Sequence, residues 1–265
     1  MSDRDRVQSV DRAIDILMTL VVGPKTLTEV CRATDLTKGT AFRLLRSLAD
    51  RGIVVKDPGR DNLYMLGPSL LRIAQGVTLG LGALGTIAAP VLTRVAEQTQ
   101  ETVTVHVRMG VERICIHVIP SASALRYTVS PGSKAPLHVG AAGQALIAFL
   151  DEVELEQVLA SLPRPLEAIT DDTVTDLPTL REKLMEVRER GYAISSGERV
   201  SGAAAVSVPI RAHGEFVAAL SILGPLTRLP LERLEEFAVV LQDAAAEAGG
   251  ILDGRQVAAT DGAGG

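Results

Sequence analysis

Apolar residues recur at helical spacing from the start of the chain. Val10, Ala13, Ile14, Leu17, Leu20 and Val21 predict a first helix, with Ser9 as its N-cap and Gly23-Pro24 as its stop. A second helix is expected from near Thr28 through Val30, Cys31 and Ala33, breaking around Asp35-Leu36. Thr37 is positioned to cap a third, from roughly Lys38 to Arg51 with Gly52 as its terminator. In that helix Ala41, Leu44, Leu45 and Leu48 form the inward stripe, and Lys38, Thr40, Arg43, Arg46 and Ser47 occupy the other face. The pattern then changes to strand, turn, strand: Ile53–Lys56, Asp57–Asn62 and Leu63–Leu66. Two short helices with a basic second member, followed by a hairpin, make a winged helix-turn-helix.

Beyond Ile73 two helices separated by glycines between Gly80 and Gly85 are expected, since each glycine weakens a helix by about 1 kcal/mol relative to alanine. Thr102–Met109 and Glu112–Ile119 alternate around Gly110 as a hairpin, and Leu125–Val129 reads as a third strand closed by Pro131-Gly132. Helices are expected at Gly140–Leu150, Glu152–Leu162, Leu177–Arg190 and Glu232–Ala248, and a second hairpin at Ala203–Arg211 and Phe216–Leu223 around His213-Gly214. Hairpins and helices without βαβ repeats predict an α+β domain. The expected organisation is a DNA-binding domain over 1–70, linker helices over 71–100, a second domain over 101–254 and a disordered Gly/Ala tail over 255–265.

The net charge of −5 conceals an asymmetry. Residues 1–72 hold twelve Lys/Arg against nine Asp/Glu, a net +3, which leaves −8 for the remainder. A basic head on an acidic body fits one domain that meets phosphate and one that does not. Within the head, Lys38, Thr40, Arg43 and Arg46 lie on the helix that would enter the major groove, where arginine pairs with the guanine edge. Thr37 stands at a helix start suited to phosphate, and Lys56 and Arg60 occupy the wing. The other reading of the basic helix is a charged surface in an unrelated three-helix bundle.

The residues also resemble a family. Val7–Leu17, Thr26–Val30, Thr37–Leu45 and Asp50-Arg51-Gly52 are similar to the opening and helix-turn-helix of IclR regulators, and Tyr64-Met65-Leu66-Gly67 to the end of their wing. Gly39 departs from the family's usual serine, so one phosphate-contacting hydroxyl is missing. Pro136–Leu146, Arg190-Gly191-Tyr192-Ala193 and Ala219–Pro225 extend the likeness over nearly the whole chain. The resemblance implies a cytoplasmic, ligand-responsive repressor of a catabolic operon. It further implies a GAF-like effector domain, a small organic acid as effector, and a homodimer or homotetramer on a palindromic double-stranded operator. On this reading Ala141, Ala142 and Gly143 offer backbone N–H groups to a carboxylate. Ser195 and Ser221 hydrogen-bond the rest of the ligand, and Leu125, Tyr127 and Leu223 supply apolar walls. Alternatively, the small residues serve only close helix-to-sheet packing. Family pockets for keto acids carry an acid at the position of Ser195 and a polar or thiol residue at that of Ala205. This chain differs at both, which points toward a less polar and larger ligand such as an aromatic acid.

Other chemistries find little in the sequence. Cys115 and His117 share a strand face as a nucleophile–base pair would, but core filling is the commoner role. The four histidines are scattered without metal-ligand spacing, and there is no phosphate loop or dinucleotide fingerprint, so no metal, no cofactor and no enzyme activity are expected. Two cysteines make no disulfide framework, and fit reduced, buried thiols. The 21 uncharged residues between Arg72 and Arg94 are too rich in glycine and threonine for a membrane span. The competing reading is a metabolite-binding module or enzyme whose helix-turn-helix makes protein contacts.

Overall fold

The computed structural model describes residues 7–57, 63–79 and 82–254. Arg60 and the tail 255–265 lie outside the described residues. The chain forms two units, dividing between Gly80 and Leu81.

The first unit runs α1 (Gln8–Val21), β1 (Lys25–Thr26), α2 (Leu27–Thr34), α3 (Lys38–Ala49), β2 (Val54–Lys56), β3 (Leu63–Leu66) and α4 (Ser69–Leu79). Its helix ends are set by local chemistry. In α2, Thr26 accepts from the Glu29 amide and the Glu29 carboxylate accepts from the Thr26 amide, a capping box that moves the start ahead of the expected Thr28. Asp35 in the left-handed conformation (φ 51°) ends α2, and Thr37 caps α3. Ser9 does not cap α1: Val7 takes that place without a side-chain bond, and Ser9 lies inside the helix. Ile16, Leu20, Val30, Leu45, Val54 and Tyr64 form one core beneath a three-stranded antiparallel sheet of order β1-β3-β2.

The second unit runs α5 (Gly82–Thr99), β4 (Thr102–Met109), β5 (Glu112–Ile119), β6 (Lys134–Pro136), α6 (Gly140–Ala148), α7 (Glu152–Ser161), α8 (Leu177–Arg190), β7 (Ala193–Ser196), β8 (Ala203–Ala212), β9 (Glu215–Pro225) and α9 (Leu231–Leu252). The six-stranded sheet has the order β6-β5-β4-β9-β8-β7, antiparallel throughout. Both expected hairpins form, the second across His213-Gly214, whose positive φ values (53° and 83°) suit a two-residue turn. Leu125–Val129, expected as a strand, makes none. The edge beside β5 goes to β6 instead, while 121–129 is tied down by side chains, with Ser121 Oγ donating to Gln100 O (2.7 Å), Arg228 to Leu125 O (3.0 Å) and Tyr127 to Ser201 O (3.2 Å). α5, expected among the linker helices, is built into this unit, because Ala88, Val91, Leu92 and Val95 are buried in its core. Cys115 is buried and Cys31 half-buried.

Helices cover both faces of the sheet. Alternate residues Val103, Val105 and Val107 of β4, Val206 and Val208 of β8, and Leu220 and Ile222 of β9 pack with α5 and α9. The intervening residues face the layer of α6, α7 and α8, where Leu137, Ala141, Ala145, Leu159, Leu180 and Leu184 form a second core. α6 is buried at every position, as its uncharged sequence requires. It can lie so close because of Gly143, where an added Cβ would stand 2.2 Å from the Leu137 carbonyl oxygen. Gly143→Ala must therefore displace backbone, and we expect a loss of about 2–3 kcal/mol in urea unfolding; an unchanged midpoint would refute this role for the glycine.

Candidate functional site

On the first unit, α3 presents its polar face to solvent. Lys38, Phe42, Arg43, Arg46 and Ser47 are exposed, and Ala41 and Leu45 are buried. Among the described residues, Lys38, Arg43 and Arg46 enter no ion pair. Thr37 is used internally: it accepts from the Thr40 amide (3.4 Å) and donates to the Thr40 hydroxyl (3.0 Å). It thus acts as a cap, and the half-buried Thr40 keeps a hydroxyl hydrogen to give. A Cβ at Gly39 would meet nothing within 4 Å. Lys56, exposed at the end of β2, holds its ammonium 5.7 Å from the Tyr64 ring centroid. The sequence reading assigned no DNA contact to three residues on this unit. Phe42 is 47% exposed, although its apolar character assigned it no outward role. Arg12 and Ser9 of α1 border a groove with Thr40 and Arg43.

The second unit contains a cavity of ≈ 730 Å³, its mouth included, between the sheet and the start of α6. Of the residues assigned to an effector, Tyr127, Ala141, Ala142, Ser195, Ala205, Ser221 and Leu223 line it. Two expected residues do not. Leu125 is 66% exposed, because its segment is not a strand facing the sheet. Gly143 serves the close approach to Leu137 described above.

The expected chemistry at the α6 start also needs correction. The Gly140 amide donates to Glu198 Oε2 (2.9 Å) and the Ala141 amide to Ser195 Oγ (3.0 Å). Glu198, 3% exposed, accepts as well from Gln144 Nε2 (3.0 Å) and Lys183 Nζ (2.8 Å). The anion at this helix N-terminus is therefore the chain's own carboxylate, satisfied by three donors. Glu198 reaches the site from the β7–β8 connection, nearly sixty residues from α6 in sequence, and no local pattern marks it.

Cationic and neutral polar groups complete the wall. Arg113 of β5, only 5% exposed, lines the cavity with the half-exposed Arg199. Arg113 Nη1 lies 3.1 Å from His106 Nδ1, and its buried Nε has no hydrogen-bond partner among the described residues. No carboxylate among them pairs with either arginine. Burial, and next the charge of Arg199, pull the Arg113 pKa down to about 10. Burial chiefly, then the two arginines, hold His106 well below its ordinary value, so it is neutral. Its Nε2 lies 3.0 Å from Thr104 Oγ1. Ser221 Oγ lies 2.8 Å from Ser207 Oγ, which donates to the Leu220 carbonyl (3.1 Å). Sequence reading missed Thr104, His106 and Arg113, though all three lie on the alternating strands it identified.

Cys115 and His117 are no nucleophile–base pair. The thiol donates to the His117 carbonyl at 3.4 Å rather than to its ring, and burial pushes its pKa up to about 11, opposite to what activation requires.

Comparison with known proteins agrees with both units. Residues 9–58 match the IclR helix-turn-helix domain, and residues 80–248 match the C-terminal domain of bacterial IclR transcriptional regulators. The HTH-type transcriptional regulator BhcR of Paracoccus denitrificans is 31% identical over 92% of this chain and 87% of its own length. The HTH-type transcriptional repressor AllR of Escherichia coli K12 is 31% identical over 90% of this chain and 88% of its own. Among solved structures, the Thermotoga maritima IclR superposes with a TM-score of 0.78 at 27% identity, covering 94% of this chain and all of that one. An IclR homologue from Microbacterium hydrocarbonoxydans, complexed with 4-hydroxybenzoate, superposes with a TM-score of 0.79 at 26% identity, covering 93% and 99%. With the winged helix-turn-helix and the cavity-bearing α+β unit in hand, these matches establish that the chain belongs to the IclR family of bacterial transcriptional regulators.

Proposed function

We propose that this protein represses a catabolic operon by binding a palindromic operator as a homodimer or homotetramer, and that a small organic acid in the second unit's cavity changes its hold on DNA. The observation that carries the DNA reading is the row of exposed cations Lys38, Arg43 and Arg46 on α3, without ion pairs among the described residues. Phosphate is the natural counter-charge for such a row. In this reading Arg43 contacts a guanine edge, Phe42 a thymine methyl, Thr40 and Lys38 the backbone beside them, and Lys56 and Arg60 the flanking groove. The effector reading rests on the cavity and its arginines, and is supported by the aromatic acid held by the Microbacterium homologue. A regulator that binds an operon's DNA acts where that DNA is, in the cytoplasm. Among the described residues no helix is long and apolar enough to cross a membrane.

Selection of bound genomic fragments by the full chain tests this reading, followed by gel shifts on the enriched site. A symmetric site beside a catabolic gene cluster is the expected result, and failure to enrich any sequence would overturn the reading. Arg43→Ala should weaken operator binding by about 1–3 kcal/mol and relax one base preference in each half-site; an unaltered gel shift would remove Arg43 from the interface. Gly39→Ser fills open space. It should raise the melting temperature, by relieving a glycine penalty of about 0.5–1 kcal/mol, and tighten operator binding through a restored hydroxyl. Weaker binding with a raised melting temperature would show that the helix start faces away from phosphate.

A further inference from the structure

Residues 121–129 lead from β5 to the cavity wall without joining a β-ladder. Tyr127, Thr128 and Val129, at the far end of this segment, line the cavity, whereas Thr104, Arg113, Ala205 and Ser221 line it from ladder-bonded strands. A segment without ladder bonds keeps one shape only if other bonds offset the entropy of ordering it. Among the described residues, the hydrogen bonds that leave 121–129 converge on the corner between α5 and β4. Ser121 Oγ donates to Gln100 O (2.7 Å) and the Ser121 amide to Thr102 Oγ1 (3.1 Å). Thr102 Oγ1 in turn donates to Tyr127 O (3.3 Å). Only the bond from the Tyr127 hydroxyl to Ser201 O (3.2 Å) goes elsewhere, to the other connection in the cavity wall.

Arg228 fastens this segment to the corner. Its Nε and Nη2 donate to Glu101 (2.6 and 2.8 Å), and its Nη1 donates to Leu125 O (3.0 Å). Glu101 is 5% exposed, and a Cβ on Gly224 would stand 2.6 Å from its Oε2, so the carboxylate has little room to shift. Gln100, in the left-handed conformation (φ 60°), turns the chain directly after the last residue of α5. α5 is also the helix through which the chain enters this unit.

Taking the effector reading above as its premise, we infer that 121–129 is a strap that carries occupancy of the cavity to the end of α5, with Arg228 as the positioning residue that joins the two. A ligand shifts an equilibrium only through contacts that differ between states, and the strap is the part of the wall free of ladder bonds. A displacement at Tyr127–Val129 meets the Arg228 clamp at Leu125 and is passed to Glu101 and Gln100.

Hydrogen exchange on the full-length protein tests this without an identified effector. Ala205→Leu fills part of the cavity from β8 and stands in for a ligand; Ala205→Val replaces it if thermal melting shows the leucine variant unfolded. Filling should change exchange at least about threefold both in 121–129 and in the last turn of α5. In the Arg228→Gln background the change should remain in the strap and vanish from α5. Tyr127→Phe, which frees the strap from Ser201, should blunt the change at α5, and it takes the place of the glutamine variant if that variant is unfolded. Gel shifts on the selected operator should follow the exchange: filling alters affinity about threefold or more, and Arg228→Gln removes that response. Arg94→Gln, which breaks the ion pair of α5 with Glu247 and touches no strap residue, should leave the response within about twofold of the parent's. Unchanged exchange at α5 on filling, a change at α5 that survives Arg228→Gln, or a response lost equally in Arg94→Gln would overturn the inference. Exchange needs no DNA, so the two readings fail separately. A protein that selects an operator but whose α5 ignores filling sinks only the strap, and one with the coupled exchange but no operator sinks only the regulator.

Discussion

Glu198 sets the character of the second unit. A carboxylate 3% exposed is tolerated only with a full set of donors, and it has them in the Gly140 amide, Gln144 and Lys183. Those bonds tie the β7–β8 connection to both α6 and α8. They also use the helix N-terminus that a ligand anion would otherwise claim. The consequence is electrostatic as much as architectural. With one anion already provided and neutralised at α6, the other charged groups lining the cavity are Arg113, which lies near Gly140, and Arg199, the residue after Glu198, neither in an ion pair among the described residues.

The two units solve opposite problems with charge. On α3 the cations have no carboxylate partner among the described residues and stand in water, where an unpaired guanidinium is cheaply hydrated and free to exchange solvent for phosphate. In the cavity a guanidinium is buried with a neutral imidazole against it, an arrangement that a bound anion would stabilise. The first arrangement favours fast, salt-sensitive association with a polyanion. The second favours a single small ligand of defined shape. Aromatic residues are few, seven Tyr and Phe in the whole chain, and Tyr127 and Phe42 stand at the two surfaces where contact with a flat ring or a base methyl has use.

Much of this was legible in the residues. Helices α1 to α3, the wing strands and both hairpins follow from apolar period and turn residues acting locally, and α8 buries Leu180, Leu184 and Val187 as its spacing demands. The misreadings have physical causes. Leu125–Val129 has strand composition, but its backbone carbonyls accept from Thr102 and Arg228 and its Tyr127 hydroxyl donates to Ser201, partners far away in the chain. Ala193–Ser196 is a strand with one strand-forming residue, Ile194, among an alanine and two serines, and Ser195 accepts from the Ala141 amide of α6. The run Thr102-Val103-Thr104-Val105-His106 alternates as a half-solvated strand does, yet Thr104 and His106 are 0% and 3% exposed. Alternation reports two faces and not which of them meets water. For that reason the pattern gave no sign that the polar face of β4 and β5 is buried, and Arg113 was missed.

The same buried polar face also determines where a bound acid can act. Thr104, His106, Arg113 and Ser221 lie on central strands with ladder bonds to neighbours and cannot move far. The remaining wall belongs to connections: Tyr127 to Val129 before β6, and Glu198 to Val200 before β8. These are fastened to each other by Tyr127 donating to the Ser201 carbonyl and to the body by Thr102 donating to the Tyr127 carbonyl. A ligand changes a conformational equilibrium only through contacts that differ between its states. An acid seated on Arg113 would meet Arg199 from the second connection as well, so its differential contacts fall on the connections rather than on the sheet. On the proposed effector reading, the strand side of the cavity would recognise the ligand and the connections would respond to it.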